Sequence, residues 1–354
     1  MKIALLKWNK ERVILQIALL LCASLSWGAR LENSASMAQC ANIPHMDHPH
    51  VRLFNGDVDA LVFLPDAQNG YYRSSRFDWS GVVGCAEYKG HTFWGEWFSH
   101  YDPYLNDSIT GPVEEFRSSD GGLGYAMAAP GGLFVKIGVG VLRRETDAPY
   151  EFGHHYPLVD GGRWTVKTKA RSIVFTQRLQ SATGVAYQYT KVLKLDRHGA
   201  IITLSHKLKN LGTKPIVTDV YDHDFFMLDG QPTGPDMQVS FSFKPHPDAP
   251  LEPEATVEGN KIIYKQELAP KQTVAAYLTG YSASPTDYAI RVENTRKQFG
   301  VEQTSDSPIA KFYLWSIRST ISPEAYIHLD IAPRQTASWT IHYRLFASTP
   351  NPSQ

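Results

Sequence analysis

The chain has 354 residues, 43% of them hydrophobic and 12% aromatic, enough to bury a large core in one big β domain or two ordinary domains. Its 35 basic side chains are matched by 35 acidic ones. Without an excess of Lys and Arg there is no polyanion-binding surface, so nucleic acid is not expected as a partner.

Residues 1–38 read as an export signal. Lys2, Lys7, Lys10 and Arg12 form a basic start, residues 13–23 form an apolar stretch broken by Gln16, and small residues follow. Cleavage after Ala38 satisfies the small-x-small rule through Ser36 and Ala38, with cleavage after Gly28 as the alternative. The apolar stretch is shorter than a membrane span needs. The expectation is an extracytoplasmic protein, periplasmic or secreted, with no stable membrane insertion once the signal is removed. Removal takes Cys22 and leaves Cys40 and Cys85. In an oxidising compartment these two either pair, tying an N-terminal arm at 39–50 to an early strand, or stay as separate thiols.

From 51 to 348 the chain reads as one β domain. Runs rich in Val, Ile, Thr, Tyr and Phe fall at 59–64, 133–142, 164–175, 185–195, 200–208, 237–243, 261–266, 274–279, 310–317 and 338–346, between clusters of Gly, Pro, Asn and Asp. Along 200–208, Ile202, Leu204 and His206 fall on one face, and Ile201, Thr203, Ser205 and Lys207 on the other. After the signal no amphipathic helix longer than about three turns is expected. There is no βαβ alternation, no Gly-x-Gly-x-x-Gly and no phosphate loop, so no nucleotide cofactor is expected, and no cysteine spacing suggests zinc. Many strands over this length with no fixed-period repeat predict an all-β fold, a large antiparallel sandwich or barrel.

Long irregular stretches at 65–80, 98–122, 143–162 and 222–236 carry aromatic, Arg and His side chains that are out of place in solvated linkers and suit functional loops. Such an inventory suits a pyranose, which presents hydroxyls and weakly apolar C–H faces. In the segment 70–81, Arg76 and Asp78 share a face if the chain is extended, with Trp79 or Tyr72 as an aromatic platform; the alternative is a surface ion pair beside a buried Trp. Of the adjacent Glu114 and Glu115, at most one faces a pocket, and Glu115, next to Phe116, is the candidate. Of His154 and His155 only one can enter a site from an extended chain, and His155 is the candidate second imidazole; no third ligand accompanies them, so no metal site is expected. Residues 218–232 set His223 between Asp222 and Asp224 and against Phe225, Phe226, Met227 and Leu228. A histidine so placed can titrate near neutrality and move protons, or can be a core histidine satisfied by an aspartate.

The segment from Tyr221 to Leu228 resembles the Asn-His-x-Tyr-Phe-Asn-Leu segment of the aldose 1-epimerase (galactose mutarotase-like) superfamily. Thr340 to Phe346, after the turn Ala332-Pro333-Arg334, resembles that family's final strand. Asp222 stands where the epimerases usually carry Asn, and Arg334 and Gln335 replace the Gly and Glu of a Pro-Gly-Glu turn. The resemblance implies an antiparallel supersandwich, a mono- or oligosaccharide partner, no cofactor, and His223 as catalytic acid. It further implies a late glutamate as base, best matched by Glu324 in a loop after a strand, and an early arginine on the sugar hydroxyls, best matched by Arg76. Asp222 joins these as a neighbour of the acid. Arg76, Asp78, Trp79 and His223 are expected to converge on one cleft with Glu324 across it. Two other readings stay open: a polysaccharide lyase or glycoside-processing enzyme, in which Arg76 would neutralise a uronate, and a non-catalytic carbohydrate-binding protein, which the departures at Asp222 and Arg334 would fit.

Overall fold

Alternating side chains pair into antiparallel ladders throughout the computed structural model, which describes Cys40 and residues 43–348. The expected export signal at 1–38, with Cys22, lies outside the described residues.

Two large sheets dominate. The first has ten strands in the order Ala255–Glu258, Lys261–Tyr264, Met237–Phe241, Ala289–Asn294, Phe299–Ser305, Thr336–Ala347, Ile201–Asn210, Ala186–Leu195, Ser172–Gln180 and Arg163–Lys169. The second has six, His246–Pro247, Thr273–Thr279, Lys311–Ile317, Thr320–Ile331, Ile216–His223 and Val113–Arg117. They bury a common core that includes Ile202, Leu204 and Tyr343 from the first and Val220, Leu314 and Ile327 from the second. Ile201–Asn210 alternates as its sequence predicts, with Ile202, Leu204 and His206 buried and Lys207 exposed. Smaller sheets are built from His50–Phe54, Val58–Phe63, Val82–Tyr88 and His91–Thr92, and from Leu133–Lys136, Gly140–Arg143 and Leu158–Asp160.

Several expected elements change. The single runs at 133–142 and 164–175 are each interrupted. The first becomes the hairpin of Leu133–Lys136 with Gly140–Arg143 around Gly138, whose φ of 80° a side chain would strain. The second spans the turn between Arg163–Lys169 and Ser172–Gln180. Val113–Arg117 is a strand inside the stretch expected to be irregular, and His223 ends a strand rather than lying in a loop. Glu324 is also in a strand, Thr320–Ile331, despite the preceding Pro323. The proline is tolerated because the pairing of Thr320–Ile331 with Ile216–His223 stops at Val220 opposite Ile327, leaving that edge open beside Pro323. Arg334 adopts φ 71° in the turn closed by the Gln335 amide donating to the Ala332 carbonyl, the conformation for which a Gly is ordinarily used.

Among the described residues no helix is long and apolar enough to cross a membrane. A disulfide joins Cys40 to Cys85, with Cα atoms 5.5 Å apart and a sequence separation of 45. Native protein kept from reductant is expected to show neither thiol to an alkylating reagent. Replacing both cysteines by serine should lower stability by about 2–4 kcal/mol in urea unfolding, since the crosslink restricts the unfolded chain.

Candidate functional site

One register fixes a wall of side chains on the outer face of the six-stranded sheet. Successive side chains of a strand point to opposite faces. Pairing sets Glu115 opposite Tyr221 and Arg117 opposite Asp219. It sets Lys311 opposite Tyr326, Tyr313 opposite Glu324 and Trp315 opposite Ser322. Beyond the last paired residues, Ile216–His223 and Thr320–Ile331 still run side by side. The rings of Tyr221 and Tyr326 stack at 4.1 Å, and two residues further His223 Nε2 lies 3.2 Å from Glu324 Oε1. His223 and Glu324 therefore meet as cross-strand neighbours at the wall of a cavity of about 310 Å³.

The imidazole is boxed in by rings. Phe225 lies flat on it at 3.7 Å, Trp97 stacks on Phe225 at 4.8 Å, and Trp315 meets His223 edge-on at 5.4 Å. Residues two apart on a strand are separated by about 7 Å. Phe225 closes that gap by adopting φ 46°, a region bulky residues rarely enter. Burial, and after it the Arg76 charge, hold the His223 pKa well below the usual histidine value. Burial raises Glu324 to about 8, with Arg76 opposing and Glu115 adding to the rise. At neutral pH the pair accordingly holds one proton, on Glu324, and His223 is neutral. In that state Nδ1–H donates to Ser322 Oγ at 2.8 Å, which also accepts from the Asp224 amide at 2.9 Å, and Nε2, 3.2 Å from Glu324 Oε1, is left without a proton of its own.

Arg76 reaches the same cavity from the covering segment. Its Nε donates to Glu115 Oε2 at 2.9 Å and its Nη1 to Asp107 Oδ1 at 2.6 Å. Glu115 is fully buried and also accepts from the Tyr221 hydroxyl at 2.6 Å and from Lys136 Nζ at 3.1 Å. Burial alone would raise its pKa, but Lys136 and Arg76 outweigh it and hold Glu115 ionised well below the usual carboxylate range.

Of the residues singled out in the sequence, the cavity brings together His223, Glu324 and Arg76. Glu324 stands beside His223, not across the cleft from it. Glu115 lies behind Arg76 and does not line the cavity. Asp78 and Trp79 point elsewhere because 70–81 is a series of bends, so the extended-chain argument does not apply to it. Asp78 accepts from the Ser80 amide and hydroxyl and lies 3.9 Å from Lys191, while Trp79 donates to the Ser74 carbonyl at 2.8 Å. His155 is outside the cavity, its Nδ1 2.9 Å from Ser74 Oγ. Asp222 faces inward, toward the ten-stranded sheet, where Tyr343 donates to it. Burial, reinforced by the Glu114 charge, raises its pKa to about 8. A neutral carboxyl, close in size and shape to an amide, therefore stands where the resembled segment has Asn. Sequence reasoning did not single out Trp97, Arg117, Tyr313, Trp315 or Tyr326. The signal for three of the wall residues was the alternation of Lys311, Tyr313 and Trp315 with the buried Phe312, Leu314 and Ser316.

No family model and no curated protein matches the sequence. Solved structures do match the fold. A candidate aldose 1-epimerase from Escherichia coli K12 superposes with a TM-score of 0.54 at 12% identity, covering 84% of this chain and 99% of that one. The chain has the galactose mutarotase-like fold. A galactose mutarotase-like protein from Clostridium acetobutylicum matches with a TM-score of 0.53 at 12% identity over 84% of this chain and 95% of its own. A galactose mutarotase related enzyme from Lactobacillus acidophilus gives 0.51 at 11% over 85% and 99%. At these identities the galactose mutarotase-like likeness is one of architecture, and the chemistry rests on the residues around His223.

The raised Asp222 pKa has a measurable sign. Its folded value stands above the unfolded one, so its stabilising contribution is complete below about pH 4 and is lost as pH rises toward about 8. Asp222→Asn removes that linkage. Its stability relative to wild type should improve by up to about 1.4 kcal/mol per pH unit across that window, as urea melts at several pH values would show. A difference that does not vary with pH would mean the carboxyl is ionised in the folded protein.

Proposed function

We propose that the protein is a carbohydrate-active enzyme of the aldose 1-epimerase type, acting outside the cytoplasm, that opens and recloses a sugar hemiacetal through His223 and Glu324. The observation that carries this reading is the 3.2 Å contact between an imidazole and a carboxyl in an aromatic-walled cavity. Opening a hemiacetal removes a proton from the anomeric hydroxyl, breaks the bond from C1 to the ring oxygen, and delivers a proton to that oxygen. One base, one acid and a single proton between them suffice, and the pair holds one.

The resting proton sits on Glu324. Its transfer to His223 as the sugar enters gives a histidine acid and a glutamate base, and hydroxyls entering the cavity supply the hydrogen bonds that stabilise the two charges. Glu324 then takes the anomeric proton as the C1 carbonyl forms, and His223 protonates the departing ring oxygen. Rotation about C1–C2 presents the other carbonyl face, and the reverse transfers close the opposite anomer. Trp97 and Trp315 offer platforms for the sugar's C–H faces, and Arg76, held by Glu115, offers N–H donors to hydroxyls. The lyase reading is weakened because Arg76, its proposed uronate partner, is already neutralised by Glu115 and Asp107.

His223→Ala and Glu324→Gln should each lower turnover in a polarimetric or NMR mutarotation assay by roughly 100- to 10,000-fold with the fold retained. Full activity in His223→Ala would remove the assignment. The pH profile of kcat/KM should fall on the alkaline side near the Glu324 value of about 8, as the shared proton is lost. Its acidic limb should lie below the ordinary histidine range, where His223 gains a second proton for the pair. A profile governed by an ordinary carboxylate, with no alkaline limb near 8, would contradict the shared-proton mechanism.

A further inference from the structure

Two cations on the same sheet face as His223 and Glu324 make no ion pair. Arg117 ends its strand and Lys311 begins another, with Tyr326 between them. Lys311 pairs in register with Tyr326, and its Nζ lies 3.9 Å from that ring's centroid. Arg117 lines both the 310 Å³ cavity and an adjoining groove of about 510 Å³ that Lys311 also lines. Among the described residues neither cation has a carboxylate within ion-pair distance or a side-chain hydrogen bond.

The acids nearby are engaged elsewhere. Asp219 meets His328 at 2.8 Å, and Asp120 accepts from the Ser118 hydroxyl and the Ala126 amide. Glu115 is occupied by Arg76, Lys136 and Tyr221, and Asp107 by Arg76. Burial lowers the Lys311 pKa, Asp219 offsets part of that, and the Arg117 charge lowers it further. The two cations therefore repel one another in a partly desolvated place, and Glu115 near Arg117 and Asp219 near Lys311 offset that only at a distance, so an anion set directly between the two heads would gain from both. The hydroxyls of a neutral sugar can accept from them but leave their charges uncompensated, whereas a planar or tetrahedral oxyanion matches a guanidinium fork beside an ammonium.

We propose that the site takes a sugar bearing an anionic substituent, a carboxylate or a phosphate, whose negative group sits between Arg117 and Lys311 while its anomeric end meets His223 and Glu324. This rests on the epimerase reading for the placement of the anomeric end, but the charge preference can be measured without turnover.

Methyl glycosides cannot open, so their binding reports recognition alone. Isothermal titration of the protein with methyl glucoside, methyl glucuronide and methyl glucoside 6-phosphate should show at least one anionic glycoside binding tenfold or more tightly than the neutral one. Which one does so identifies the group. The ratio should fall toward one in Arg117→Met, in Lys311→Met, where the replaced side chain is half-buried, and at high salt. Equal binding of neutral and anionic glycosides, no binding of either anionic glycoside at millimolar concentration, or a preference unchanged in both folded variants would overturn the proposal. Mutarotation of neutral aldoses without charge preference would remove this inference and leave the epimerase reading. A charge preference without mutarotation would do the reverse.

Discussion

Two adjacent carboxylates, Glu114 and Glu115, hold the site together from opposite sides of one strand. The strand's period of two sends Glu114 into the space between the large sheets, where it meets Lys191 and, at 2.6 Å, His206 of the facing sheet. Glu115 turns outward to Arg76, Lys136 and Tyr221. Both are fully buried, so each is tolerable only with its partners present. Stripping either carboxylate of all its partners would leave a buried charge unpaired, which costs about 3–5 kcal/mol. Glu114 thus pins the sheets together beneath the site, and Glu115 sets the Arg76 head and the Tyr221 ring above it.

The same arrangement sorts the charges around His223. On the inner face, Glu114 stays ionised because Lys191 and His206 outweigh its burial, and its charge helps keep Asp222 protonated. On the outer face, Arg76 lies close enough to lower both the His223 and the Glu324 pKa, while apolar rings strip water from the pair. Burial favours the neutral forms of both groups, so a protonated Glu324 stands beside an unprotonated Nε2. Had His223 been paired with a solvated acid, the two would have formed an ordinary ion pair with nothing to transfer.

Much of the architecture was legible in the sequence because alternation is local. The runs around 185–195, 200–208 and 338–346 became strands of the ten-stranded sheet, with 200–208 showing the expected faces. The segment around His223 pointed to the fold and to one side of the site. What the sequence could not supply was register. Asp78 and Trp79 look well placed beside Arg76, but the chain bends between them. Arg117, Tyr326 and Trp315 are unremarkable in their own segments, and only the pairing of four strands sets them on one wall. Glu324 was misread as a loop residue because Pro323 argues against a strand, and the open edge that accommodates it is a tertiary fact.

The ring wall has a photophysical side as well. Of the eight tryptophans in the chain, Trp97 and Trp315 line the cavity, and their rings meet edge to face at 5.8 Å. Indole emission shifts with the polarity around it, so exchanging water for a sugar face against these two rings alters the light the protein gives off. Occupancy of the cavity can then be followed from the chain's own fluorescence, with no label and no turnover, even in a variant whose proton pair has been removed.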